Sequence, residues 1–344
     1  MLRRLTATAA ALVAAVVLAL QCYAVPDTSA GCLCLLDADT GEVLAEKCAS
    51  RPSLIASATK IMTALVVIER CDLERLVTVP PEATGIEGSS MYLKPGEQLT
   101  VRELLYGLML HSGNDAAVAL ALCSAGSVEA FVSRMNETAQ RLSLSNTHFA
   151  NPNGLDDENN YSTAHDLAFL TRYALKNPDF LQIVSTRSIR AAGRCLTNHN
   201  RLLWSVDGAI GVKTGYTRAA GRILVSAAER GGRRLIVVTI NDGNDWRDHS
   251  ALYDYGFSQY HTCVALRRGD AVAELKLADG SLAVLKAGEA FSCALKQGEQ
   301  VTVRVQYPRF AFRSGLPGTP AGIGSVWIGE TFLGTIPLIW GECE

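Results

Sequence analysis

The apolar positions of this chain recur at helical spacing through most of its first half and at a period of two beyond residue 208. Leu33–Leu36 and Glu42–Ala45 flank Asp37-Ala38-Asp39-Thr40-Gly41, which predicts a strand, a turn and a strand. After Pro52 an apolar run predicts a helix over Lys60–Arg70. A second helix is predicted over Leu99–Leu110, opened by Thr100 and Glu103 at the spacing of a capping box. Cys123 lies in a further apolar helical run, and Val128–Leu142 carries Phe131, Met135 and Leu142 near one face. Thr163 is placed to cap a helix over Ala164–Leu175, which Pro178 is expected to stop. Ala209–Thr214, Arg222–Ala227 and Arg234–Ile240 read as strands joined by short Gly-containing connections, a spacing that suits antiparallel pairing. Arg247–Tyr260 is again helical. Beyond it, Ala271–Leu277 and Ser281–Lys286 flank Ala278-Asp279-Gly280, Val301–Tyr307 alternates, and Ser325–Ile328 and Thr331–Ile336 flank Gly329-Glu330. The pattern predicts an α+β domain followed by a small all-β domain, with the boundary near residue 262.

Length and composition agree with two folded domains. The chain has 344 residues, 48% of them apolar and 19% charged, enough for a packed core and too apolar for a disordered chain. Its 32 basic and 34 acidic residues leave a formal charge of −2 without a basic block, which speaks against nucleic-acid binding. Arg3 and Arg4 precede Ala7–Leu20, 14 residues without a charge, and Cys22 and Ala24 are small residues at −3 and −1 of a cleavage site. A signal peptide over residues 1–24 is expected rather than a membrane anchor, because a spanning helix needs about 20 apolar residues. The mature protein is therefore expected outside the cytoplasmic membrane. Cleavage would remove one of ten cysteines and leave nine, an odd number that cannot all pair. Their spacing matches no metal-ligand pattern, and most are expected as small buried apolar groups. The six histidines likewise have no ligand spacing, so no metal or other cofactor is implied. His148, Asp156 and Asp157 are read as capping a loop around Asn153-Gly154.

The chemistry lies in three short motifs. Ser57-Ala58-Thr59-Lys60 opens the first helix, where positions i and i+3 share a face, so the hydroxyl and the amine can meet. Serine needs a base to become a nucleophile, and a lysine serves when burial or a second cation lowers its pKa. Backbone N–H groups at a helix start suit an oxyanion. Ser112-Gly113-Asn114 follows the second helix, and Lys213-Thr214-Gly215 ends the first strand of the β run. Each motif is weak alone. The ordered set Ser-x-x-Lys, Ser-x-Asn, Lys-Thr-Gly is strong, and it is shared by β-lactamases and penicillin-binding proteins. His111, next to Ser112, is not needed as a base because Lys60 fills that role.

In these motifs the chain resembles the low-molecular-mass penicillin-binding proteins, the serine D-alanyl-D-alanine carboxypeptidases of the peptidase S11 family. The likeness extends to Ala56–Thr63, to Ser112–Ala117, to Phe149–Leu155 with Tyr161–Ala164, and to Gly211–Thr217 with Ala220-Gly221. It covers about residues 30–260 and implies a β-lactamase/transpeptidase-like catalytic domain over 30–261, with the β-rich domain over 262–344.

The resemblance also implies roles. Ser57 would attack the penultimate D-Ala carbonyl, Lys60 would be the base and Ser112 would relay a proton to the leaving amine. Asn114 would hold Lys60 and the substrate amide. Lys213 and Thr214 would bind the carboxylate side, beside Gly215. Backbone N–H groups of Ser57 and Tyr216 would form the oxyanion hole, and Arg247 would help bind the carboxylate unless it is only a helix-start cation beside Asp248. The implied partners are peptidoglycan stem peptides as substrate and β-lactam antibiotics as covalent inhibitors. The terminal residues Leu338–Glu344 are too short and acidic for the amphipathic membrane helix that often closes family members. A β-lactamase is disfavoured because no Glu-x-x-x-Asn element lies between the second and third motifs. A penicillin-recognising sensor or wall-binding module is disfavoured because no catalytic residue is missing. Endopeptidase action on cross-links would use the same chemistry.

Overall fold

Strand β1 (Cys32–Asp37) is buried at every position. Its sequence, Cys-Leu-Cys-Leu-Leu-Asp, lacks the apolar–polar alternation of a half-exposed strand because both faces of its sheet are covered. The computed structural model describes residues 24–278, 280–307 and 314–341. The expected signal peptide and Cys343 lie outside them, apart from Ala24 at the cleavage site. The chain divides into two compact units after Phe257.

In the first unit, β1 joins β2 (Val43–Lys47), β3 (Ala209–Thr217), β4 (Gly221–Arg230) and β5 (Arg233–Ile240) in one antiparallel sheet of order β2-β1-β5-β4-β3. Leu36, Ile236 and Val238 point into the main core. That core is shared by helices α1 (Lys60–Arg70), α2 (Val101–Leu110), α3 (Asn114–Ala125), α4 (Val128–Arg141), α5 (Ala164–Ala174) and α6 (Pro178–Ser185). On the opposite face lies α8 (Asp245–Gln259), which follows the short α7 (Leu202–Ser205) in the chain. Its Gly256 packs so closely that an added Cβ would stand 2.6 Å from Leu235. A buried polar network fastens α8 to the sheet. Ser226 Oγ lies 2.7 Å from His249 Nδ1 and 2.6 Å from the Tyr253 hydroxyl, and Thr239 Oγ1 lies 2.9 Å from His249 Nε2. Burial holds the His249 pKa down at about 3, so the imidazole is neutral and both ring nitrogens can be bonded.

The capping predictions have visible causes. Glu103 N–H donates to Thr100 Oγ1 at 3.1 Å, and Thr100 N–H donates back to the Glu103 carboxylate at 2.9 Å. Thr163 Oγ1 accepts from Asp166 N–H at 2.9 Å. Pro178 does not merely stop α5. It is the first residue of α6, where its missing N–H costs no hydrogen bond, and Asn177 caps the turn. The hairpin of Ser188–Ala191 with Arg194–Thr197 is an element the periodicity did not reveal. Three of the eight described cysteines are buried, while Cys48 and Cys195 are exposed, so burial of most of them does not hold.

The second unit is β-rich. Strands β6 (Tyr260–Leu266) and β9 (Phe291–Lys296) pair with each other. Strands β7 (Ala271–Lys276), β8 (Leu282–Ala287), β10 (Val301–Gln306), β11 (Pro320–Ile328) and β12 (Thr331–Trp340) form a sheet of order β7-β8-β12-β11-β10. Leu275, Leu285 and Trp340 fill its interior. Among the described residues no single helix is long and apolar enough to cross a membrane.

Candidate active site

Ser57 sits in a single 3-10 turn, Ala56–Thr59, that runs directly into α1 at Lys60. The turn is set by an unusual backbone: Ala56 has φ +43°, in the left-handed region that an alanine rarely adopts. The surroundings hold it there. A Cβ on Gly154 would stand 2.0 Å from the Ala56 carbonyl oxygen, so only glycine lets the Asn151–Leu155 loop press against the turn.

Lys60 is fully buried, and its amine has three oxygen neighbours: Ser57 Oγ at 2.9 Å, Asn114 Oδ1 at 2.7 Å and the Asn153 carbonyl at 2.5 Å. Burial, reinforced by the Lys213 charge and opposed by Asp115, holds its pKa well below the ordinary lysine value. A neutral amine has two N–H groups and one lone pair. Two of its neighbours are carbonyl oxygens, which only accept, so the lone pair is left facing the Ser57 hydroxyl, which can donate. That is the arrangement of a general base beside its nucleophile.

Two loops fix the acceptors. Asn114 is the first residue of α3, and its Nδ2 donates to the Glu87 carbonyl at 2.5 Å, which turns its oxygen to Lys60. Asn151 Oδ1 accepts from Gly154 N–H at 2.7 Å, and Thr63 Oγ1 donates to the Pro152 carbonyl at 2.6 Å, which holds the Asn153 carbonyl over Lys60. Asp115, wholly buried, accepts from Met91 N–H, Leu93 N–H and Ser90 Oγ at 2.9, 3.0 and 2.6 Å, and so ties down the segment beside Ser89.

Ser57, Ser89, Ser112, Thr214, Gly215 and Tyr216 line one cleft of about 840 Å³. Ser112 links α2 to α3 with φ +59°, a strained conformation of the kind that clusters at functional sites. Lys213, Thr214 and Gly215 lie inside β3 rather than at its end, because the strand continues to Thr217 and is the outermost of the sheet. Lys213 is 1% exposed, its amine donates to the Thr214 carbonyl at 2.8 Å, and burial brings its pKa down to about 7. The cleft is also lined by His199, whose ring centroid lies 5.4 Å from that of His111. Burial, then Lys213 and His111, push the His199 pKa down.

The structure thus brings Ser57, Ser112, Thr214, Gly215 and Tyr216 to one cleft, with Lys60, Asn114 and Lys213 buried around it. Arg247 is not with them. Its guanidinium donates to the neighbouring Asp248 at 2.9 and 3.1 Å, and its side chain is 71% exposed. Arg201, Arg222, Asp245 and Trp246 line the cleft instead. His148 Nδ1 pairs with the Asn159 carbonyl at 2.6 Å, and the Asp157 carboxylate accepts from Asn159 N–H at 2.8 Å. The sequence reading missed the contributions of Asp115 and of the Asn153 carbonyl. Asn151-Pro152-Asn153-Gly154 carries a turn signal that could have marked the latter.

The chain is similar to known proteins over most of its length. The family model described as D-alanyl-D-alanine carboxypeptidase matches residues 20–244. The D-alanyl-D-alanine carboxypeptidase DacF of Bacillus subtilis is 36% identical over 282 residues, 78% of this chain and 72% of that protein. DacC of Escherichia coli is 35% identical over 305 residues, 83% of this chain and 76% of that protein. The crystal structure of penicillin binding protein 5 from Haemophilus influenzae superposes with a TM-score of 0.82 at 28% identity, covering 92% of this chain and 98% of that one. The fold is therefore the transpeptidase-like α+β fold with a β-rich C-terminal region, and the chain belongs to the D-alanyl-D-alanine carboxypeptidase family.

Proposed function

We propose that the protein is an exported serine carboxypeptidase that removes the terminal D-alanine from peptidoglycan stem peptides ending in D-Ala-D-Ala, through an acyl-enzyme on Ser57. The observation that carries this is the wholly buried Lys60 amine, 2.9 Å from Ser57 Oγ with its other two neighbours restricted to accepting. Lys60 takes the Ser57 proton as Oγ bonds to the penultimate D-Ala carbonyl carbon. Backbone N–H groups of Ser57 and Tyr216 stabilise the oxyanion. The C–N bond then breaks, and the proton returns through Ser112 to the departing amine, which leaves as free D-alanine. In the second half a water gives its proton to Lys60 and attacks the ester, releasing the shortened peptide and restoring Ser57. Asn114 holds the substrate amide, while Lys213 and Thr214 meet the carboxylate side. β-Lactams present a strained amide to the same serine and are covalent inhibitors in this reading. The charge and apolar pattern of residues 1–24 supports export to where the substrate lies.

The test is release of D-alanine from an N-acylated peptide ending in D-Ala-D-Ala by the mature protein, with Ser57→Ala beside it. Release by the wild type alone, with a penicillin adduct on Ser57 in the wild type alone, is the expected result. Retained labelling of Ser57→Ala sinks the nucleophile assignment. No release from a folded wild type moves the reading to a sensor or a β-lactamase, which penicillin turnover separates.

A further inference from the structure

Resting on the reading above, we infer that Arg222, rather than Arg247, is the guanidinium that receives the substrate's terminal carboxylate. Both arginines follow the third motif in the chain, but of the two only Arg222 lines the cleft. It stands on β4 directly opposite Tyr216 on β3, one pair along from the Ile223 and Gly215 pair. Its side chain is 44% exposed and is held from two sides. Asp245, whose side chain is 5% exposed, accepts from Arg222 Nη2 at 2.5 Å and from Nε at 3.2 Å. The guanidinium carbon lies 5.9 Å from the centroid of the Trp246 ring.

This arrangement uses one edge of the guanidinium and leaves the other. Nη1 has no partner among the described residues, so its N–H groups are available to an anion in the cleft. Asp245 offsets the charge but also fixes the plane, so little rotamer freedom is lost when a carboxylate binds. Arg222 is also a permanently charged donor carried on the strands that flank the third motif. Lys213, the other cation on this side, is buried and already donates to the Thr214 carbonyl. With its pKa at about 7, it is only partly charged in neutral solution. Arg201 also lines the cleft, but it lies in the segment that carries His199 and Trp204 rather than on the strands flanking the third motif. Arg247 bonds Asp248 through its Nε and Nη2 in the same way, but it does not line the cleft.

The test compares acylation rate constants for benzylpenicillin and for its carboxylate methyl ester. It uses the mature wild type, Arg222→Gln, Arg222→Lys, Arg201→Gln and Arg247→Gln, with the adduct located by mass spectrometry. The wild type is expected to react faster with the acid than with the ester. Arg222→Gln should lose about 10- to 100-fold on the acid and less than about 2-fold on the ester, the loss of one charge-assisted pair. Arg222→Lys should recover part of the loss on the acid. Arg201→Gln and Arg247→Gln should keep the wild-type ratio of acid to ester. The inference is overturned if the wild type reacts equally with both compounds, or if Arg222→Gln slows both equally or neither. It is also overturned if Arg247→Gln or Arg201→Gln is the variant that collapses the ratio. A wild type that forms no adduct on Ser57 with either compound overturns the serine reading itself, a result distinct from all of these.

Discussion

A methyl group added at Gly215 would stand 3.2 Å from the backbone nitrogen of Ser57. The third motif thus lies against the turn that carries Ser57, whose Ala58 nitrogen and Ala56 Cβ stand 3.3 and 3.4 Å from the same point. Gly215→Ala should therefore crowd an N–H that the oxyanion needs while leaving the rest of β3 in place. A drop of about 10-fold in acylation with little change in Tm is expected, since a misplaced oxyanion donor costs rate rather than stability. Stopped-flow labelling with a penicillin and a thermal melt check the two halves.

Lys60→Ala removes the proposed base and leaves two buried acceptors, Asn114 Oδ1 and the Asn153 carbonyl, without their donor. Acylation of Ser57 should fall by about 10²- to 10⁴-fold, the range expected for loss of general-base assistance. A variant that labels at the wild-type rate means that Ser57 has another base.

The pH dependence of stability follows from Lys213. Burial lowers its pKa to about 7, against 10.5 for an ordinary lysine. Between those values the unfolded chain holds the proton and the folded protein does not. Stability must therefore rise with pH across that window, and the burial penalty is fully present below about 7. Lys60 is shifted in the same direction. The unfolding free energy of the wild type, less that of Lys213→Met, should climb by up to about 1.4 kcal/mol per pH unit between pH 7 and 10. Urea titrations at unit steps of pH measure it, and a flat difference refutes the assignment of the neutral amine.

Asp115→Ala leaves the N–H groups of Met91 and Leu93 and the Ser90 hydroxyl without the carboxylate that gathers them. A loss of about 3 kcal/mol is expected, because charge-assisted bonds to a buried group are broken and donors are left unpaired. Faster hydrogen exchange should be confined first to the segment around Ser89–Leu93. Asp115→Asn, which keeps the shape and one acceptor, should lose less.

Much of this site was legible in the chain because its side chains come in short motifs whose spacing matches a local structure. Ser57 and Lys60 are one helical turn apart, and the Thr100–Glu103 box declares its own helix start. What stayed hidden depends on contacts between distant segments. The Asn153 carbonyl, 93 positions along the chain from Lys60, meets it only after the chain has folded back, and a backbone oxygen leaves no letter in a sequence. Pro178 was read as a stop because a proline ends one helix and begins another with the same missing N–H. Arg247 was placed by its position after the third strand. Asp248 beside it in the chain offers a local partner, which it takes, but position alone says nothing of Arg222, which shares the cleft with Tyr216.

Strand β3 lies at the border of the sheet, so among the described residues no strand pairs with the backbone groups on its far side. An uncovered strand border is a template for any extended chain, and folded proteins usually blunt it with charge or bulk. Here the stretch beyond Lys213 offers Thr214, then a glycine with no side chain, then a tyrosine 66% exposed. The border is left sticky beside Ser57, where the proposed peptide substrate would lie. A substrate held this way is recognised through its amide repeat before its side chains. Compounds that imitate that repeat and end in an anion should compete for the cleft even when they contain no alanine and no reactive carbonyl.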